Sequence, residues 1–146
     1  MSRFHIHIAV DDLQRSVEFY SAVFGDQPSV LKDDYAKWAL DNPNLNFAIS
    51  TRGRKHGLDH IGLQAEDDAE LQAIRQRLEA AGIQGQAQEA TTCCYAQSDK
   101  YWVQDPAGIA WETFHSLASV PTFGEQTEAK SSSACCAPSL SKSSCC

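Results

Sequence analysis

At 146 residues, 42% hydrophobic and 21% charged, the chain has the make-up of a soluble globular protein, with room for one real core or two small packed modules. A net charge of −7 argues against general binding to nucleic acid or anionic membranes, which needs clustered Lys and Arg, and no apolar run approaches the roughly 20 residues of a membrane-spanning helix. The opening Met1-Ser2-Arg3-Phe4-His5 lacks the basic-then-apolar layout of an export signal, so the cysteines are expected to be reduced thiols and the location cytoplasmic.

In chain order, Phe4–Val10 alternates like a strand with one buried face and runs into Asp11-Asp12, which can cap a helix. Leu13, Val17, Tyr20 and Phe24 follow at helical steps, and Gly25 closes the stretch. Strand signals come next over Ser29–Leu31, Tyr35–Leu40 and Leu45–Ser50. The pattern then restarts at an offset of 55 residues, with Asp59-His60-Ile61-Gly62-Leu63 lying over Phe4-His5-Ile6-His7-Ile8. Leu71, Ile74 and Leu78 make the second helix, with Gly82 after its end. The last strand signals are Gln84–Glu89, Tyr101–Gln104 and Ile109–His115, the final two joined by the tight turn Asp105-Pro106-Ala107-Gly108. The order predicts an α+β fold of two βαβββ modules, about 3–51 and 57–116, paired into a curved, open mixed-sheet barrel within a domain of residues 1–120. Residues 121–146 read as a flexible Ser/Cys-rich tail: Lys130–Cys146 has Leu140 as its only large aliphatic residue and cannot offset the entropy of ordering.

All six cysteines occur as adjacent pairs, Cys93-Cys94, Cys135-Cys136 and Cys145-Cys146. Neighbouring Cα atoms lie about 3.8 Å apart, short of the roughly 4.4–6.8 Å of ordinary disulfides. Such a pair is a poor staple within itself, but two adjacent thiolates make a compact soft ligand for thiophilic ions. The first pair lies in folded sequence. The tail pairs are candidates for capturing a thiophilic metalloid and raising its concentration near the site.

The repeat makes His5 and His60 equivalent, and aligns Trp111-Glu112-Thr113 with Phe47-Ala48-Ile49. Four matching positions should therefore point into one hollow: His5, Ala48, His60 and Glu112. Two imidazoles and one carboxylate are the ligand set that leaves open positions on Fe(II), although Zn²⁺, Ni²⁺ or Mn²⁺ could also be held. His7 shares the strand face of His5 and is an alternative ligand or a supporting donor. His56, in a basic loop, and His115, on the opposite parity from Glu112, are not expected in the set.

These residues resemble the vicinal oxygen chelate superfamily, which includes glyoxalase I, bleomycin-resistance proteins and extradiol dioxygenases. More narrowly, Thr91-Thr92-Cys93-Cys94-Tyr95-Ala96, followed by Asp99-Lys100-Tyr101-Trp102-Val103 and Asp105-Pro106, resembles the bacterial organoarsenical carbon–arsenic lyases, whose relatives include cadmium-induced and arsenic-resistance proteins. The resemblance covers about residues 3–116. It implies a non-haem Fe(II) enzyme using O₂ to break the carbon–arsenic bond of trivalent methyl- or aryl-arsenicals. It further implies iron on His5, His60 and Glu112, and the arsenical on Cys93 and Cys94. Tyr95, Lys100 and Tyr101 are candidates for orienting substrate or oxygen. Three rivals remain: a glyoxalase-like isomerase, against which Ala48 at the fourth position counts; an extradiol dioxygenase, which has no use for the thiols; and a non-enzymatic protein sequestering cadmium or arsenite. The oligomeric expectation is a monomer or homodimer.

Overall fold

Period-two alternation along the strands sorts this chain onto the two faces of a single curved sheet. The computed structural model describes residues 2–52 and 55–119. Its elements are β1 (Arg3–Ala9), α1 (Leu13–Phe24), β2 (Val30–Lys32), β3 (Tyr35–Asp41), β4 (Asn44–Ser50), β5 (Gly57–Gln64), α2 (Asp68–Ala80), β6 (Gln86–Cys93), β7 (Ala96–Gln104) and β8 (Ala110–Ser119). The eight strands run in the order β2-β3-β4-β1-β5-β8-β7-β6, so both modules of one chain share the sheet. The α+β expectation of two βαβββ modules is met.

The centre of the sheet shows how the repeat works. β1 and β5 run antiparallel, with His5 opposite Gly62 and His7 opposite His60. Each then pairs in parallel with the last strand of its own module, which sets His7 beside Ala48 and Gly62 beside Glu112. Ala48 and Glu112 are thus equivalent, as the alignment requires. An ideal Cβ on Gly62 would lie 1.7 Å from the Glu112 carbonyl oxygen, so only glycine lets β8 come this close.

The convex face carries the helices. Ile6, Ile8, Trp38, Phe47 and Ile49 pack against Leu13, Val17, Tyr20 and Phe24 of α1. Ala65, Tyr101 and Val103 pack against Leu71 and Leu78 of α2. Asp12 and Asp67 cap these helices by accepting from the N–H groups of Arg15 and Glu70, at 3.0 and 2.8 Å. At the end of α2, the N–H groups of Gly82 and Ile83 reach the carbonyls of Glu79 and Leu78, each at 2.9 Å, a Schellman closure with Gly82 at φ +74°.

The remaining face is concave, and its residues are polar where a core would be apolar: His5, His7, Asn46, Ser50, His60, Ser98, Lys100 and Glu112 are all buried. That composition explains the strands whose limits differ from the sequence reading. β6 continues to Cys93 and β7 starts at Ala96, because Gln97–Lys100 shows no apolar alternation when its inner face lines a polar hollow. A bulge at Ala90, where φ is +48° and the pairing shifts between Gln88 and Thr91, further hides the period. β8 runs on to Ser119, past the expected module end at 116. Residues 120–146, with the cysteine pairs at 135–136 and 145–146, lie outside the described residues. Among the described residues, no helix is long and apolar enough to cross a membrane.

Candidate active site

His5 reaches the hollow from β1. Its Nδ1 lies 3.0 Å from the Asn46 carbonyl, which can only accept, so Nδ1 carries the proton and the Nε2 lone pair faces inward. His60 reaches in from β5 with its Nδ1 2.6 Å from an Asp59 carboxylate oxygen, which frees its Nε2 in the same way. Adjacent strand residues ordinarily face opposite ways. Here the register slips between His7 and Ile8, leaving Asp59 as the unpaired residue of a bulge on β5 and letting it turn to its neighbour. Glu112 enters from β8.

The two Nε2 atoms are 3.2 Å apart, and the Glu112 Oε2 lies 3.5 Å from that of His5 and 3.3 Å from that of His60. Donors bound at about 2.1 Å to one ion sit about 3.0 Å apart at right angles and about 3.4 Å apart in a tetrahedron. The three donors therefore fit a divalent metal. The orienting acceptors behind both imidazoles are those that metal-bound histidines use. His5, His7 and His60 form a second possible set, with one nitrogen from each lying within 4.8 Å of the others. In that set His7 would use a ring whose Nε2 is already 2.9 Å from the Ser50 hydroxyl.

Electrostatics match the geometry. Burial, helped by the nearby His60, lowers the pKa of His5 to about 4, and burial lowers that of His7 to about 3. Burial pulls the same way on His60, but the Glu112 and Asp59 carboxylates prevail and raise it to about 9. Without a metal, His60 is thus protonated where the ion would sit. Burial opposes the charge on Glu112, yet Lys100 and His60 hold it well below the usual carboxylate range. The Lys100 ammonium lies 2.6 Å from Glu112 Oε1. Burial works against that charge, but Glu112 and the two thiols keep Lys100 protonated. Lys100 thereby takes one carboxylate oxygen and leaves the other to face the histidines.

The β6–β7 hairpin delivers the thiols. Cys93 pairs with Ala96, and the two-residue connection Cys94-Tyr95 has φ values of +52° and +61°, a type I′ turn built without its usual Asn or Gly. Left-handed backbone costs about 1–2 kcal/mol at each such residue. The sulfurs are 3.1 Å apart and not in a disulfide, Cys93 buried and Cys94 half-buried. They line the same cavity, of about 40 Å³, as His5, His60, Lys100 and Glu112. The segment that carries the thiols is therefore a tight hairpin turn. Its Tyr95 hydroxyl donates to Asp34, and the Tyr95 ring meets Tyr35 at 5.7 Å, tying the second module to the first. Burial and the Asp34 carboxylate push the Tyr95 phenol up to about 12.

Of the residues proposed to orient substrate, Lys100 lines the cavity and Tyr95 flanks it. Tyr101 does not: it points to the convex side among Ala65, Leu71 and Val103, where its hydroxyl accepts from the Gly85 N–H at 2.9 Å. Being one residue from Lys100, it takes the opposite face. His56 is exposed, as expected. Asp59, Asn46 and Ser50 are site residues the sequence reading missed. Asp59 had a signal in its position directly before the repeated histidine; Asn46 and Ser50 had only their parity with Ala48.

Paired βαβββ modules curled around a buried polar hollow define a class of fold in which the two halves of a chain build one cleft. The model of the Glyoxalase/Bleomycin resistance protein/Dioxygenase superfamily matches residues 3–113, and the chain belongs to that superfamily. It is 39% identical to the "Trivalent organoarsenical cleaving enzyme" of Bacillus sp. (strain MD1), over 97% of this chain and 88% of that protein. It is 34% identical to the protein of the same name from Thermomonospora curvata, over 94% and 90%. Among solved structures, an extradiol ring-cleaving dioxygenase from B. fuscum shares the fold with a TM-score of 0.59 at 18% identity, over 80% of this chain and 32% of that one.

Proposed function

We propose that this protein cleaves the carbon–arsenic bond of trivalent organoarsenicals and releases inorganic arsenite, using Fe(II) and O₂. The observation that carries the reading is the meeting of a soft dithiol with a His/His/Glu donor set in one cavity. Relatives named for trivalent organoarsenical cleavage, at 34–39% identity over nearly the whole chain, support the same substrate class.

Cys93 and Cys94 are the proposed substrate anchor. R–As(OH)₂ exchanges both hydroxyls for the two sulfurs, forming two As–S bonds and releasing two waters, with the As–C bond intact. With thiolate bonds of about 2.3 Å, sulfurs 3.1 Å apart close a chelate at about 85°, near the right-angled pyramid that suits a trivalent centre with a lone pair. The third arm, the organic group, is then free to point toward the donors. Holding both reactants in one cavity makes the step effectively unimolecular. His5, His60 and Glu112 would hold Fe(II), which supplies the one-electron chemistry that O₂ needs to attack a closed-shell bond. Asn46 and Asp59 fix the imidazole tautomers, and Lys100 fixes the Glu112 carboxylate, so the donors need no rearrangement.

The test is arsenite release from methyl- or phenylarsenous acid by Fe(II)-loaded protein, with and without O₂. Release that needs both supports the reading. Tight arsenical binding without release moves the protein to the sequestering class, and release without O₂ rules out the oxidative route.

A further inference from the structure

Lys37, on β3, has no part in the reading above. Across the sheet it stands in one row with Ala48, His7 and His60, through successive pairs β3–β4, β4–β1 and β1–β5. Residues opposite one another across strands share a face, so Lys37 lies on the concave side, half-buried, and it lines the cavity that holds the thiols. Its neighbour Ala48 is too small to shield it. In the second module the residue opposite Glu112 is Trp102, so fold symmetry alone does not ask for a cation here.

Among the described residues, no carboxylate lies within ion-pair distance of the Lys37 ammonium, whereas Lys100, the other cavity lysine, is committed to Glu112. A partly desolvated ammonium calls for an anion. Burial lowers the pKa of Lys37, and the group that opposes this is Cys94. Among the described residues, the titratable groups that face Cys94 include Lys37 and Tyr35 from β3, Cys93 from β6, Lys100 from β7, and Tyr95 beside it in the turn. At 3.1 Å, the Cys93 S–H can donate to a Cys94 sulfur that has lost its proton.

We propose that Lys37 holds the Cys94 sulfur as a thiolate, so that Cys94 is the member of the pair that first takes a thiophilic ligand and Cys93 closes the chelate. The proton leaves to solvent, and the Cys93 S–H and Lys37 N–H groups share the charge left behind. The thiolate is the nucleophilic form of cysteine. Cys94 is also the more exposed of the two, whereas Cys93 is buried.

The test is alkylation of the full-length, reduced, metal-free protein by iodoacetamide from about pH 5.5 to about pH 9.5, with Cys94 read separately by mass spectrometry. In the wild type the Cys94 rate should rise with a midpoint below the ordinary thiol value of about 8.5. In Lys37→Met the midpoint should move up by about one unit, a roughly tenfold slower reaction at neutral pH, with both proteins converging at the alkaline end. Lys37→Arg should keep the wild-type profile. Lys37→Gln gives a second neutral variant, and circular dichroism selects the variants that fold. A neutral variant that folds and superimposes on the wild-type profile overturns the proposal. Neither iron nor arsenical is present, so the result stands apart from carbon–arsenic cleavage: a shifted profile with no arsenite release would sink only the reaction, and the converse only Lys37.

Discussion

At the scale of single residues, the site is made by what stands behind each functional group. His5 and His60 are equivalent in the repeat, yet one leans on a backbone carbonyl and the other on a carboxylate. Burial opposes the charge on both rings: at His5 it prevails, helped by His60, whereas at His60 the Glu112 carboxylate, with Asp59, outweighs it, so the two titrate in opposite directions. The folded pKa values of His5 and His7 lie below the free value, so only the unfolded chain takes up their protons as the pH falls through about 6.5. Their contribution is complete above that pH and lost toward about 3–4. His60 runs the other way: its folded value is raised, so its contribution is full below about 6.5 and lost as the pH rises through about 9. The metal-free protein is expected to lose urea resistance on acidification from about pH 6.5 to about pH 4.5, and His7→Gln should lose less over the same range. Equal slopes would argue against a neutral buried His7. The thiol pair gives a second prediction. Replacing either Cys93 or Cys94 by Ser should weaken binding of a trivalent arsenical roughly 100-fold or more, because a chelate becomes a single bond. Fe(II) affinity should stay within about twofold, and titration calorimetry reads both.

At the scale of elements, one close backbone approach holds the site. Gly62 admits the β8 strand beside β5, and an added Cβ would strike the Glu112 carbonyl. Gly62→Ala should therefore destabilise the protein by at least about 1–3 kcal/mol and lower Fe(II) affinity by misplacing Glu112. Gly82→Ala is the contrasting change. It strains a left-handed helix end for about 1 kcal/mol and should leave Fe(II) affinity unchanged, as read by urea denaturation alongside metal titration. A Gly62→Ala protein with unaltered Fe(II) affinity would show that β8 is held by other means. Elements were also where the sequence was hardest to read. The helices and central strands alternate cleanly because one side is apolar. The stretch from Thr91 to Lys100 does not, because its inner face lines a polar hollow and a bulge shifts its register.

At the scale of the whole molecule, the donors come from both modules: His5 from the first, His60 and Glu112 from the second. Metal binding should therefore report on the assembled fold. Fe(II) at about 100 times its Kd should raise the unfolding free energy by about 2.7 kcal/mol under anaerobic conditions, and Glu112→Ala should lose most of that gain. An equal gain in the variant would favour the three-histidine set over His5, His60 and Glu112. The clasp between the outer hairpins, where Tyr95 meets Asp34 and Tyr35, brings the thiols over the hollow only when both modules are in place.

By itself the sequence determined the repeat, the helices, the equivalence of His5 with His60, and Glu112 against Ala48. These are local or periodic facts, carried by alternation and by residues in register. Only the tertiary structure decided the rest. It brought Cys93 and Cys94 into the cavity of the His/His/Glu set, turned Tyr101 away, and recruited Asp59 through a bulge and Asn46 through a parallel pairing. It also set Lys37 in the same hollow, with no carboxylate within ion-pair distance among the described residues. Each of these depends on which strand lies beside which and on which face a side chain takes, and no spacing along the chain encodes that.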